Sequence, residues 1–129
     1  MTKSGDNRRV LVVEDEADIR QFVSRVLELE GYQVLQAADD EAGLKLVGKG
    51  GISLVLLDLR LSAHDGWTLL ARMKKSPELQ SIPVVVFTAS ADTSLRQRAL
   101  AMGAVDYLVK PLSAARLRAS VGRVLHGKE

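Results

Sequence analysis

The chain has 129 residues, enough for one domain with a single core and no covalent staples. Its 47% hydrophobic and 26% charged residues are the balance of a globular protein, and the lack of cysteine excludes disulfides, thiol chemistry and cysteine–zinc centres. The formal net charge of +2 does not by itself imply nucleic acid, and no apolar run approaches the roughly 20 residues that span a bilayer.

Residues 1–8 are polar, without the apolar stretch of a signal peptide, and read as a flexible segment in a cytoplasmic protein. The domain is expected over 9–126, with 127–129 as a tail. Arg9 to Val13 reads as a first strand. Asp15 to Glu30 reads as a helix with Ile19, Phe22, Val23, Val26 and Leu27 facing inward, stopped by Gly31. Gln33 to Ala37 is a second strand. Asp39 caps a helix that turns Ala42, Leu44 and Val47 inward and ends near Gly50. Ser53 to Leu57 is a third strand, and a loop through Ser62, Asp65 and Gly66 leads to a helix with Leu69, Leu70 and Met73. Ser76–Pro77 breaks that helix. Ile82 to Phe87 is a fourth strand, Asp92 to Met102 a helix ended by Gly103, and Val105 to Val109 a fifth strand. Ser113 caps the last helix, with Leu117, Val121, Val124 and Leu125 inward and Gly127 closing it.

Strict strand–helix alternation implies an α/β fold, a parallel sheet with helices on both faces. Strands one, three and four are near-continuous aliphatic runs, as burial on both faces requires, while two and five are more polar and suit the edges. The order 2-1-3-4-5 follows, that of the doubly wound (βα)5 flavodoxin-like three-layer sandwich.

In such sheets ligands sit beyond the carboxyl ends of the strands. Glu14 and Asp15 follow strand one, Asp58 follows strand three, Thr88 strand four and Lys110 strand five. A lone Asp at a strand end is ordinarily a turn residue, and Asp15 by itself reads as a helix cap. Lys110 by itself reads as a solvated charge. Jointly, three carboxylates, a hydroxyl and an ammonium converge on one edge. Clustered carboxylates repel unless a cation joins them, and oxygen ligands favour a hard cation such as Mg²⁺. A metal and a lysine together stabilise a phosphoryl group in transfer, for which an aspartate can be the nucleophile.

These residues resemble the receiver domains of two-component response regulators. The resemblance runs from about Arg9 to Leu125, through Val12-Val13-Glu14-Asp15, Leu56-Leu57-Asp58, Asp65-Gly66, Phe87-Thr88-Ala89 and Val109-Lys110-Pro111. It implies that Glu14 and Asp15 bind Mg²⁺, with Asp15 the direct ligand. It implies that Asp58 is both phosphate acceptor and ligand, and that the backbone carbonyl of Arg60 completes the ligands. Thr88 and Lys110 would hold the phosphoryl oxygens, Thr88 and Tyr107 would form the switch, and the Lys110–Pro111 bond would be cis. The donor would be a histidine kinase or histidine phosphotransfer protein, and the chain would be no enzyme beyond its own phosphoryl transfer and dephosphorylation. No direct nucleic acid or membrane partner is implied.

Serine at position 62, where the family often has proline, and Arg60 two residues past the acceptor are departures expected to alter the lifetime of the phosphorylated state. His64 reads as an exposed loop residue, His126 as a solvated helix end and Trp67 as a half-exposed residue near the site. From Asp92 to Leu125, arginines outnumber acids. That stretch is expected to be the output face, a solvated basic surface or a docking face for an acidic partner, through which a homodimer is also open to the chain. Rival readings are a receiver-like interaction module that takes no phosphate and an aspartate-nucleophile phosphohydrolase. The hydrolase normally has a second Asp where Arg60 stands and its nucleophile on the first strand. A flavodoxin-like flavin protein is weaker still, because Glu14 and Asp15 would repel a phosphate.

Overall fold

In the computed structural model the described residues are 8–60 and 66–127. Five strands, β1 (Arg9–Val13), β2 (Gln33–Ala37), β3 (Leu54–Asp58), β4 (Val84–Thr88) and β5 (Asp106–Val109), alternate with α1 (Ala17–Leu29), α2 (Asp40–Gly48), α3 (Gly66–Lys75), α4 (Thr93–Ala101) and α5 (Ala114–His126). All strand pairs are parallel, in the order β2-β1-β3-β4-β5. This is the flavodoxin-like three-layer sandwich.

Strand alternation builds two cores. Leu11, Val13, Val55, Leu57, Val84 and Val86 face one way and meet Val47, Leu69, Leu70, Met73 and Ala99 of α2, α3 and α4. Val10, Val12, Leu54, Leu56, Val85 and Phe87 face the other way and meet Val23, Leu27, Leu117 and Val121 of α1 and α5. Side chains at period two reach opposite faces, so one aliphatic run feeds both layers. β3 and β4 are buried throughout, whereas β2 and β5 lie at the edges and keep polar positions.

Several boundaries differ from the expectations. α1 is shorter than Asp15 to Glu30: Glu16 is its N-cap and makes no side-chain cap bond, so Asp15 lies in the preceding loop rather than capping the helix. Phe22 is 44% exposed, not inward. It sits on one edge of the Ile19–Val23–Val26–Leu27 stripe, and the helix is rolled so that Ser24, on the other edge, is buried instead. Ser24 is tolerated there because its hydroxyl donates to the Arg20 carbonyl at 2.7 Å. β3 and β4 each start later and run one residue further than expected, so Asp58 and Thr88 are their last residues. Pro83 precedes β4, and β5 starts at Asp106.

Asp39, Asp92 and Ser113 accept backbone N–H groups at the starts of α2, α4 and α5. Gly31 and Gly127 take left-handed conformations where α1 and α5 end. His126 is exposed but not merely solvated, since its Nε2 lies 3.1 Å from the Tyr32 hydroxyl and the two rings stack. Arg8, assigned to a flexible segment, bonds the Leu125 carbonyl. The rest of that segment, Ser62, His64 and Asp65 of the β3–α3 loop, and the last two residues of the tail lie outside the described residues. Among the described residues no helix is long and apolar enough to cross a membrane.

Candidate functional site

The carboxyl ends of β1, β3, β4 and β5 converge because the strands are parallel and in register. Val13 pairs with Leu57, Asp58 with Phe87, and Thr88 with Val109. The next residue of each edge is therefore polar and shares one rim. Carboxylate oxygens of Glu14, Asp15 and Asp58 lie within 4.8 Å of one another. Glu14 is fully buried, Asp58 and Thr88 nearly so, and Asp15 half-buried.

Lys110 joins the cluster from the end of β5. Its ammonium donates to Glu14 Oε1 at 2.7 Å and to Asp58 Oδ2 at 2.9 Å, and it lies 5.3 Å from the centre of the Phe87 ring. Glu16 Oε1 is a further 3.9 Å neighbour. The Lys110 backbone N–H donates to the Thr88 carbonyl, which ties β5 to β4 at the rim. The Lys110–Pro111 peptide is cis.

Glu14 and Asp58 are also held by backbone. Glu16 N–H donates to Glu14 Oε2 at 2.9 Å, and Arg60 N–H donates to Asp58 Oδ1 at 3.0 Å. The Arg60 side chain is exposed. Gly66 opens α3 against the end of β3: a Cβ there would meet the Asp58 carbonyl oxygen at 2.3 Å and the Leu59 Cα at 2.8 Å. Only glycine lets the helix start so close to Asp58.

Burial disfavours charge at Glu14 and pushes its carboxyl up to about 7, against the pull of Lys110 and the Glu16 N–H. Burial also opposes charge on Lys110, but hydrogen bonds from its ammonium to Glu14 and Asp58 overcome this and raise its pKa, so it stays an ammonium. Three carboxylates with one ammonium leave uncompensated negative charge. The donor set is all oxygen and suits a hard divalent cation, whose charge would offset the cost of keeping these buried carboxylates ionised.

Tyr107 stands apart from the carboxylates. It is buried in the α2–α3–α4 layer, with its hydroxyl donating to the Ser90 carbonyl at 2.9 Å and Arg96 6.0 Å from its ring centre. Trp67 is half-buried beneath Arg98, whose guanidinium lies 4.1 Å from the ring centre. Two further participants carry no motif signal. Arg20 Nη1 donates to the Glu14 carbonyl at 2.8 Å, and its Nε donates to Gln36 Oε1 at 3.1 Å. Arg20 thereby braces the loop that bears Glu14 and Asp15. The only sequence hint is its place one turn into α1, where a long side chain reaches back toward the helix start.

Comparison with known proteins agrees with this geometry. Residues 10–122 match the response regulator receiver domain family. The chain is 38% identical over 118 residues to the phosphate regulon transcriptional regulatory protein PhoB of Escherichia coli, covering 92% of this chain and 52% of that protein. It is 37% identical over 123 residues to the sensor histidine kinase TmoS of Ectopseudomonas mendocina, covering 95% of this chain and 12% of that protein. The crystal structure of the receiver domain of NtrX from Brucella abortus superposes with a TM-score of 0.85 at 33% identity, covering 92% of this chain and 99% of that one. The chain spans about half the length of the first curated relatives it matches.

Proposed function

The chain belongs to the response regulator receiver domain family, a signalling switch of two-component systems, and we propose that its phosphate acceptor is Asp58. The observation that carries this reading is the Lys110 ammonium, bonded to both Asp58 and Glu14 at the end of the sheet. A nucleophilic carboxylate needs a fixed cation on the side where negative charge develops, and Lys110 is that cation.

The proposed transfer begins with a phosphohistidine of a histidine kinase or histidine phosphotransfer protein. An oxygen of Asp58 attacks phosphorus, the O–P bond forms and the N–P bond breaks. The imidazole nitrogen leaves with the electron pair and takes up a proton. Lys110 is released from part of its contact with Asp58 and follows the charge onto the phosphoryl oxygens. The Thr88 hydroxyl, buried at the neighbouring strand end, donates to one of them. Hydrolysis is the same displacement by water, which frees phosphate and restores the Asp58 carboxylate. Glu14, Asp15, Asp58 and the Arg60 carbonyl would hold Mg²⁺, which supplies charge neutralisation of the transferring group. Thr88 and Tyr107 would carry the change to the stretch from Asp92 to Leu125.

The test is incubation with acetyl phosphate, with and without Mg²⁺, followed by intact mass. A Mg²⁺-dependent phosphoryl adduct is expected on the wild type and not on Asp58→Ala. An adduct that persists on Asp58→Ala overturns the assignment of the acceptor. Absence of any adduct, also with a phosphorylated kinase domain as donor, favours an interaction module that takes no phosphate.

A further inference from the structure

We infer that the Arg98–Trp67 contact is a strap that carries a displacement at the Asp58 end of β3 directly to α4, by a route that passes through neither Thr88 nor Tyr107. It rests on the reading of Asp58 as phosphate acceptor and adds to it a second way in which α4 is made to respond.

The strap begins beside Asp58. The Gly66 N–H donates to the Leu59 carbonyl at 2.9 Å, and the Gly66 Cα lies so close to β3 that a Cβ there would be 2.3 Å from the Asp58 carbonyl oxygen. Trp67 is the next residue, so the first turn of α3 follows a shift of the Asp58–Leu59 peptide. The Trp67 ring, half-buried, carries the exposed side chain of Arg98, whose guanidinium lies 4.1 Å from the ring centre. That is well inside the roughly 6 Å over which a cation and an aromatic face attract. Backbone contact at one end and ring contact at the other thus join the end of β3 to α4.

The two helices are held unequally. α3 buries Gly66, Leu69, Leu70 and Met73, whereas α4 buries Ala99 alone among its nine residues. A close-packed element resists displacement, and one with few buried side chains moves at small cost. A shift where the two helices touch is therefore taken up by α4. Other holds on α4 lie at its two ends: Asp92 accepts the Ser94 and Leu95 N–H groups at its start, and Met102 packs against the core at its close. Arg98 grips the helix between them.

The chemistry of the pair suits a contact that moves without breaking. A guanidinium can slide over an indole face, because the attraction of the ring needs no fixed donor–acceptor line. The bond from the Tyr107 hydroxyl to the Ser90 carbonyl is directional and is lost as a unit. The hold at Trp67 is thus graded, and the hold on the loop before α4 is all-or-none.

The test compares wild type, Arg98→Gln, Arg98→Lys and Gln97→Ala as isotope-labelled full chains, before and after acetyl phosphate with Mg²⁺. Intact mass reads the adduct. Amide shifts over Thr93–Ala101 read the response of α4, the Thr88 amide reads the site, and acrylamide quenching reads the cover over Trp67. Arg98→Gln should take the adduct to the wild-type extent and keep the Thr88 change. It should lose at least about half of the α4 change, and its Trp67 quenching should rise about twofold. Arg98→Lys, still a cation, should recover part of both, and Gln97→Ala, exposed on the same helix, should change neither. A merely structural role would move the α4 amides equally with and without phosphate and leave the difference intact. That result, wild-type quenching in Arg98→Gln, or loss of the Thr88 change along with that of α4 overturns the strap and leaves the acceptor in place. No adduct on the wild type overturns the acceptor reading and the strap with it.

Discussion

The carboxylate end of the sheet and the cleft between α4, β5 and α5, lined by Arg96, Arg116, Arg123 and Asp106, have opposite charge imbalances and opposite exposure. At the sheet end three carboxylates share one ammonium, and Glu14 and Asp58 are out of water. In the cleft three guanidinium groups share one carboxylate, with the arginines in solvent. Burial makes the first imbalance costly; a raised carboxyl pKa at Glu14 absorbs part of it, and a divalent cation held there would offset the rest. Water screens the second, so it persists at little cost. Two carboxylates express the contrast: burial pushes Glu14 up to about 7, whereas at Asp106 burial also acts upward but is overcome by bonds from Ser120, Tyr107 and Arg123, leaving it lowered.

The largest expected effect comes from removing the cation at the buried end. Lys110→Met leaves Glu14 and Asp58 without their ammonium and should destabilise the metal-free protein by about 3–5 kcal/mol in chemical denaturation. Phosphorylation by acetyl phosphate should slow on the order of 100-fold, the loss typical of one transition-state donor. A melt and a rate unchanged from wild type would show that Lys110 is solvated there. Next is Gly66→Ala, whose methyl must push α3 away from the Asp58 carbonyl. It should cost about 1–3 kcal/mol and lower the phosphorylation rate, while Gly48→Ala, with nothing near its Cβ, should do neither.

The two carboxylates should then respond to pH in opposite directions. Because the folded-state pKa of Glu14 is raised from 4.5, its contribution is fully present below about 4.5 and is lost as pH rises through about 7. Melting temperatures without Mg²⁺ should therefore fall from pH 5 to pH 8, Mg²⁺ should restore them at pH 8, and Glu14→Gln should flatten the profile. Because the folded-state pKa of Asp106 is lowered from 3.8, its contribution is present above that value and is lost as pH falls through the folded-state pKa. Asp106→Asn should remove that acid-limb loss at a cost of about 1 kcal/mol near neutral pH. A Glu14→Gln profile that still falls toward pH 8 would put the titration elsewhere. The smallest effect is expected at Arg20. Arg20→Ala should weaken Mg²⁺ binding, read by Trp67 fluorescence, by about threefold with no change in fold, and Arg20→Lys should recover part of it.

Much of this was legible along the chain because its signals are local. Aliphatic runs mark β1, β3 and β4, and Asp39, Asp92 and Ser113 mark helix starts by residue type. The polar residue ending each run marks one rim once the sheet is known to be parallel. Phe22 was misread because a helical period fixes a stripe, not the roll of the helix, and Ser24 took the buried place by bonding the Arg20 carbonyl. His126 was misread because its partner, Tyr32, lies 94 residues away. Arg20 and Gln36 were invisible for the same reason, since each carries meaning only through the other and through the Glu14 carbonyl.

By itself, then, the sequence determined the alternation of elements, the strand order and the residue types gathered at the carboxyl ends, because hydrophobic period and strand-end position follow from neighbours in the chain. Only the tertiary structure decided which charges are buried, which are bonded and which remain in solvent. Asp58 and Asp106 are both aspartates of a strand, yet one is enclosed with other carboxylates and the other is ringed by donors. Desolvation and pairing depend on distances across the sheet and between helices, and no local pattern encodes them.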